Sequence, residues 1–309
     1  MGKIAFIFPG QGAQYRNMAR DFYEQIPASR HVFEAASQAA GMSIESLCFD
    51  DTEQLHQTMY TQPALFTANY AILKAVEELG LKADMTAGLS LGEYCALTAA
   101  GVFSFEDAVP IVCSRGKYME EAVPEGAGAM MAILTRKEIP MEEICREIPG
   151  QVVVANYNCP GQRVISGERQ AVEKAAEKLL AAGAARALPL KVSGPFHSPL
   201  LEGAGKQLFD RLEGVKMSAP SIPFVSNVTA KEERNPERIR ELLGRQVCSP
   251  VYWQQSMEYM IAQGVDTFVE IGPGKTLTNF LKKIDKEVQA YHVEKVPELE
   301  ELKKIEMAG

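Results

Sequence analysis

Residues 3–8, KIAFIF, are apolar without a break after Lys3 and end at Pro9-Gly10. A half-exposed strand alternates apolar and polar residues. A short continuous apolar run suits a central strand covered on both faces, as in the parallel sheets of α/β proteins. From Pro63 to Leu79 the apolar residues Leu65, Ala68, Ile72, Val76 and Leu79 repeat at helical spacing, and Gly80 supplies the stop. Residues 81–88 can then form a short strand leading into TAGLSLGEYCALTAAG (86–101), where Ser90 stands between Gly88 and Gly92 ahead of an Ala-rich helical segment. Two readings fit that stretch. One is a serine N-cap with glycines easing the turn. The other is a nucleophile elbow, in which a tight strand-to-helix turn lifts a serine Oγ clear of the fold. The strand-then-helix context is the one an elbow requires.

The middle of the chain changes character at GAGAMM (126–131). AGAMMAIL reads as a strand, EIPMEEICREI as a helix, VVVANYN and RVISG as strands around the turn CPGQ, AVEKAAEKLLAAG as a helix and ARALPLKVSG as a strand. The order β-α-β-β-α-β over about seventy residues is the ferredoxin-like split unit. The expected organisation is an α/β, hydrolase-like core with a mostly parallel sheet (1–125 and 195–309) and an inserted ferredoxin-like subdomain (126–194). After Pro195 come a helix over SPLLEGAGKQLFDRLEG, a strand in IPFVSNV, helices near PERIRELLGRQV and from Trp253 to Gly264, and a strand in DTFVEIG. The charged end PELEELKKIEMAG reads as an amphipathic helix with frayed edges.

A formal charge of -8 and a pI near 5.3 argue against a general nucleic-acid binder, which needs a basic surface to displace counterions. The six cysteines are scattered, with no C-x-x-C pair and none at zinc spacing to histidines, so they read as reduced, buried small hydrophobes and no metal is expected. No run reaches the length of a membrane span, and the apolar start is too short for a signal-peptide core. A cytoplasmic protein is expected, monomeric because no heptad seam is present. Met1-Gly2 opens like a myristoylation signal, but the buried strand that follows argues against it. GQGAQY has Tyr15 where G-x-G-x-x-G needs glycine, and VEIGPGKT has Val269 where a P-loop needs its first glycine. GPGKT reads instead as a tight turn into a helix N-terminus, a place able to assist an anionic substrate.

An elbow serine needs a base, because its hydroxyl is protonated near neutral pH. Of four histidines, His31 and His56 sit among polar residues and His292 in the charged tail. His197 follows the strand LPLKVSGPF, where Gly194 and Pro195 fix a turn, and is the candidate once Ser90 is accepted as a nucleophile. An oxyanion hole needs two N–H donors. Leu91 follows the nucleophile, and Gln11 lies in PGQG between glycines that permit close backbone approach. Arg115, by contrast, reads from its surroundings alone as a solvated helix arginine.

PGQG, GLSLGEY, SRGKYM (114–119), PEGAGAM (124–130), VSGPFHS (192–198), Arg245-Gln246 and EIGPGKTL (270–277) occur together in this order. In that order and spacing the chain resembles malonyl-CoA:acyl-carrier-protein transacylases nearly end to end. The resemblance implies a ping-pong acyl transfer from a coenzyme A thioester, as substrate rather than tightly bound cofactor, to the phosphopantetheine thiol of acyl carrier protein. It also implies a hydrolase-like core with a ferredoxin-like insertion. Matched position by position, Ser90 is the acylated nucleophile and His197 the general base. Leu91 and Gln11 give the oxyanion donors. The backbone carbonyl of Gln246 orients the histidine, and Arg115 grips the malonyl carboxylate. Many members have histidine before the nucleophile where this chain has Leu89. The resemblance implies altered packing there and unchanged chemistry. Phe196 fits the malonyl-type pattern. Carrier docking is expected to be transient and electrostatic, with Lys191 and Lys206 as candidates. A discrete trans-acting acyltransferase of a polyketide synthase shares every motif, and a serine thioesterase or other hydrolase would use the same dyad.

Overall fold

The computed structural model describes residues 2–307. Among these residues ten strands form two sheets: β1 (Lys3–Phe8), β2 (Met85–Gly88), β3 (Gly128–Leu134), β4 (Val152–Cys159), β5 (Gln162–Glu168), β6 (Arg186–Pro189), β7 (Phe224–Val225), β8 (Glu232–Glu233), β9 (Val265–Ile271) and β10 (Gln289–Val293). The larger sheet has the order β10-β9-β1-β2-β7-β8. All its pairs are parallel except β7 with β8. β1 is buried on both faces, as its unbroken apolar sequence predicts. Phe6 and Phe8 join the cluster under the Thr58–Glu78 helix, while Ala5 and Ile7 pack with Met85, Phe268 and Trp253 on the other side. Helices on both faces complete the α/β core.

The second sheet is antiparallel, ordered β4-β5-β3-β6. It has the strand order of a ferredoxin-like unit, with helices Met141–Arg146 and Arg169–Ala181 between its strands. Ile133, Ile165, Val172 and Leu179 form a separate small core beneath it.

Several elements differ from the sequence expectation. The helix expected from Pro63 begins at Thr58 and carries Pro63 inside it. Proline there forfeits one backbone bond, yet Thr61 through Ala68 are all buried, and packing outweighs the local preference. The strand before His197 ends at Pro189, so residues 190–196 reach the histidine as a loop. IPFVSNV contributes only two residues to β7, because Ser226 closes a local turn onto Ala230 and Lys231 and Asn227 reaches across to the Ser90 turn. EIPMEEICREI is helical only over Met141–Arg146. His292 lies on edge strand β10, 3.2 Å from Glu298, and not in a solvated tail. The final helix, Leu299–Met307, is docked through Leu302, which is 1% exposed. Ala308 and Gly309 lie outside the described residues. Cys48, Cys95, Cys145 and Cys159 are buried, while Cys113 and Cys248 are half-buried and free.

Candidate active site

β2 ends at Gly88, Ser90 takes a left-handed backbone (φ 53), and a helix starts at Gly92. The glycines are there for space. A Cβ on Gly88 would lie 1.9 Å from the Gly92 carbonyl, and one on Gly92 would lie 2.1 Å from the Phe8 oxygen. The left-handed conformation falls on the serine itself, at a cost of about 1–3 kcal/mol that the surroundings must overcome. Asn227 supplies part of that restraint. Its Oδ1 accepts the Ser90 N–H at 2.7 Å and its Nδ2 donates to the Gly88 carbonyl at 2.7 Å, bracing the turn from both sides.

His197 is the second left-handed residue of the site (φ 58) and is 3% exposed. Its Nδ1 lies 2.8 Å from the Gln246 carbonyl oxygen and its Nε2 lies 2.8 Å from Ser90 Oγ. A carbonyl only accepts, so Nδ1 carries the hydrogen and Nε2 is left to accept from the serine hydroxyl. Burial, and secondarily the Arg115 charge, push the His197 pKa down to about 4. The imidazole is therefore neutral at physiological pH and competent to take a proton.

The Leu91 N–H is the first free amide of the new helix. Beside it runs the PGQG loop: a Cβ on Gly10 would sit 2.2 Å from the Leu89 oxygen and 3.6 Å from Leu91 N. Among the described residues neither the Leu91 nor the Gln11 N–H has a protein acceptor. The Gln11 side chain is tied back to Thr58 Oγ1 at 2.9 Å.

Arg115, which sequence alone placed in solvent, is 1% exposed. Its Nη1 donates to Gln62 Oε1 at 2.7 Å, and its Nη2 donates to Gln246 Oε1 at 2.8 Å and to Ser90 Oγ at 3.1 Å. Nε is buried without a partner. The guanidinium thus contacts neutral acceptors and no carboxylate, and burial lowers its pKa. Behind Gln246 lies Glu93, 2% exposed, which accepts from the Asn227 N–H at 2.9 Å and from Gln246 Nε2. Burial pushes its pKa up to about 7.

Ser90 and His197 open into a cleft of about 220 Å³ between the turns that follow β1 and β2 and the strands β3, β4 and β5, with Leu89, Phe196 and Gln11 on the core side and Asn158 and Leu190 on the other. Lys191 is exposed at its rim, between Leu190 and Val192, whereas Lys206 lies in a separate groove with Phe209 and Arg245. The GPGKT turn does not offer an anion site. The N–H groups of Leu277 and Thr278 are held by the buried Glu270 carboxylate at 3.0 and 2.7 Å. Among the described residues, one group has metal-ligand spacing: His292, Glu294 and Glu298. Its carboxylates already accept backbone N–H groups of Gly274, Glu294 and Lys295.

Sequence reasoning missed Gln62, Glu93 and Asn227. Glu93 carried a signal, being a lone acid inside an Ala-rich apolar helix. Gln62 and Asn227 carried none, since their partners are 53 and 137 residues away in the chain.

The geometry has counterparts among known proteins. The chain is 44% identical over 297 residues to the malonyl CoA-acyl carrier protein transacylase of Bacillus subtilis, covering 95% of this chain and 94% of that one. It is 46% identical over 288 residues to the Escherichia coli K12 protein of the same name, covering 92% and 93%. Among solved structures, malonyl CoA-acyl carrier protein transacylase from Clostridium perfringens superposes with a TM-score of 0.94 at 45% identity over 99% of this chain and 98% of that one. A malonyl-transacylase in complex with its type II PKS acyl-carrier protein does so with 0.95 at 41% over 98% and 99%. The family model described as the acyl transferase domain matches residues 5–304. Joined to a strained serine, a neutral buried histidine and two free amides at one turn, these likenesses show that the chain belongs to the acyl transferase domain family.

Proposed function

We propose that the protein transfers a malonyl group from malonyl-CoA to the phosphopantetheine thiol of acyl carrier protein through a malonyl-Ser90 intermediate, supplying fatty-acid chain extension. One observation carries the choice of malonyl: a buried arginine with no carboxylate in contact sits 3.1 Å from the nucleophile. An acyl group bearing its own carboxylate completes that site, whereas a neutral acyl group leaves the cation without an anion in contact. The incoming carboxylate is met by the guanidinium edge that reaches Ser90 Oγ through Nη2, with the buried Nε left as the donor without a partner.

In the first half-reaction His197 Nε2 takes the Ser90 proton as Oγ attacks the thioester carbonyl. The developing oxyanion lies between the Leu91 and Gln11 N–H groups. Collapse breaks the C–S bond, and His197 returns the proton to the departing coenzyme A thiolate. In the second half His197 deprotonates the carrier thiol, which attacks the malonyl ester, and the proton goes back to Ser90 Oγ. The Gln246 carbonyl holds His197 in the tautomer this requires, in place of a triad carboxylate. A cleft of about 220 Å³ accommodates a short acyl group and the thioester end while the rest of coenzyme A stays outside. Nothing in this scheme needs a bound cofactor.

The pocket lies between the units taken as 1–125 with 195–309 and as 126–194, so both shape the acyl site. Carrier docking is transient and electrostatic, using Lys191 at the rim to meet an acidic partner, and it weakens with salt. Lys206 is the more distant candidate. The protein acts as a cytoplasmic monomer; among the described residues no helix is long and apolar enough to cross a membrane. A polyketide carrier is the second reading, favoured by the likeness to the type II PKS transacylase.

The test is incubation with malonyl-CoA in the presence and absence of phosphopantetheinylated carrier. Malonyl-carrier should form rapidly, and free malonate slowly without carrier. Rapid malonate release with no carrier acylation would make the protein a hydrolase. Side-by-side fatty-acid and polyketide carriers separate the two carrier readings.

A further inference from the structure

Glu93 contacts neither Ser90 Oγ nor His197, yet its carboxylate is fully committed. Oε1 accepts the Asn227 N–H, a backbone donor that cannot rotate, and Oε2 accepts from Gln246 Nε2. The same Nε2 also donates to the Ser90 carbonyl oxygen at 2.9 Å. Two acceptors on one side therefore fix which way the Gln246 amide faces, and its Oε1 is turned toward Arg115 Nη2 at 2.8 Å. The reversed amide would aim an NH2 group at a guanidinium that can only donate, and an oxygen at two acceptors. Gln246 serves His197 separately through its backbone carbonyl, so its side chain reaches the arginine and the Ser90 backbone and not the imidazole.

We propose that Glu93 is a positioning residue for acyl-group selection: it locks the Gln246 amide so that Gln246 Oε1 holds the Arg115 guanidinium in place for the carboxylate of the incoming acyl group. The inference rests on the reading that Arg115 grips that carboxylate. It predicts that damage to Glu93 falls on carboxylated substrates and spares the dyad. In Glu93→Gln one oxygen remains for the Asn227 N–H and an NH2 group faces Gln246 Nε2. The Gln246 amide must then flip or part from its neighbour, and Arg115 loses its acceptor.

The experiment measures Ser90 acylation by malonyl-CoA and by acetyl-CoA in wild type, Glu93→Gln, Gln246→Met and the double variant, with thermal midpoints alongside. Gln246→Met keeps the backbone carbonyl on His197 and breaks the relay from the other end. In Glu93→Gln kcat/KM for malonyl-CoA should fall by about ten-fold or more, chiefly through KM, while acetyl-CoA changes by less than about two-fold; in Gln246→Met, which also loses the bond to the Ser90 carbonyl, both substrates should fall, malonyl-CoA by about ten-fold more than acetyl-CoA. The double variant should be no worse than the worse single, because both changes cut one chain of contacts. Equal losses for the two substrates, undiminished malonyl loading or additive losses overturn the proposal. If Glu93→Gln does not fold, Gln246→Met still decides: without a malonyl-selective loss there is no relay. Wild-type protein that loads no malonyl removes the underlying reading instead, a result distinguishable from failure of the relay.

Discussion

The turn from β2 into Gly92–Ala99 and the turn from β9 into Thr276–Ile284 leave the same parallel sheet in the same direction, and residues of both line the cleft. Each is bracketed by glycines, and each has a buried glutamate whose pKa burial raises to about 7. They differ in where the amides of the new helix go. At Thr276 the Glu270 carboxylate takes the N–H groups of Leu277 and Thr278, closing the helix end. At Ser90 the glutamate lies on the far side, tied to Gln246 and Asn227, and the Leu91 amide is left open beside a serine held in a left-handed conformation. Glycine-rich turns and buried acids therefore do not mark a reaction site by themselves. What sets the Ser90 turn apart is an uncommitted donor next to a hydroxyl on a strained backbone.

The largest expected effect breaks the first turn only. Ser90→Ala should lower transfer by about 10⁴-fold or more, read as malonyl-carrier formed per unit time. Second is Arg115→Ala, which should reduce malonyl loading by about 10²-fold or more while acetyl loading falls far less, because a buried carboxylate left unpaired costs several kcal/mol. Equal losses for the two acyl groups would remove Arg115 from the acyl site.

The two turns were unequally legible in sequence. Ser90 was marked by a local signal, since strand, glycines, serine and Ala-rich helix all fall within sixteen residues of chain. GPGKT was read as able to assist an anion because its blocking acid, Glu270, sits inside a strand motif where nothing local says which way its side chain turns. β1 and the ferredoxin-like unit were readable because periodicity and turn residues are local properties. The helix start at Thr58 was hidden by Pro63, and the two-residue β7 by the turn of Asn227 toward Ser90. The Arg115 environment was invisible because its three hydrogen-bond partners come from three separate segments, and only folding brings them together.

Acidity probes the first turn from another direction. With His197 depressed to about 4, kcat/KM for acetyl-CoA, which does not draw on the Glu93 contact, should hold through pH 5–6 and fall only near pH 4, a limb centred near 6.5 being the contrary result. The smallest effect belongs to the second turn. Glu270→Ala uncaps the Thr276 helix and should lower unfolding stability by about 1–3 kcal/mol in urea titrations, leaving malonyl loading at the wild-type rate. A folded pKa raised to about 7 from 4.5 means that the Glu270 contribution is complete below pH 4.5 and is lost as pH rises through 7. Wild-type stability should accordingly decline across that interval more steeply than that of Glu270→Ala.

The central claim is that the open turn at Ser90, and no other nucleophile, carries the acyl group. Intact mass spectrometry after mixing with malonyl-CoA, followed by phosphopantetheinylated carrier, tests it most directly. The wild type should gain one malonyl mass and surrender it to the carrier, and Ser90→Ala should gain none. A malonyl adduct that persists on Ser90→Ala, or a wild-type protein that transfers malonyl without ever carrying it, would contradict the account.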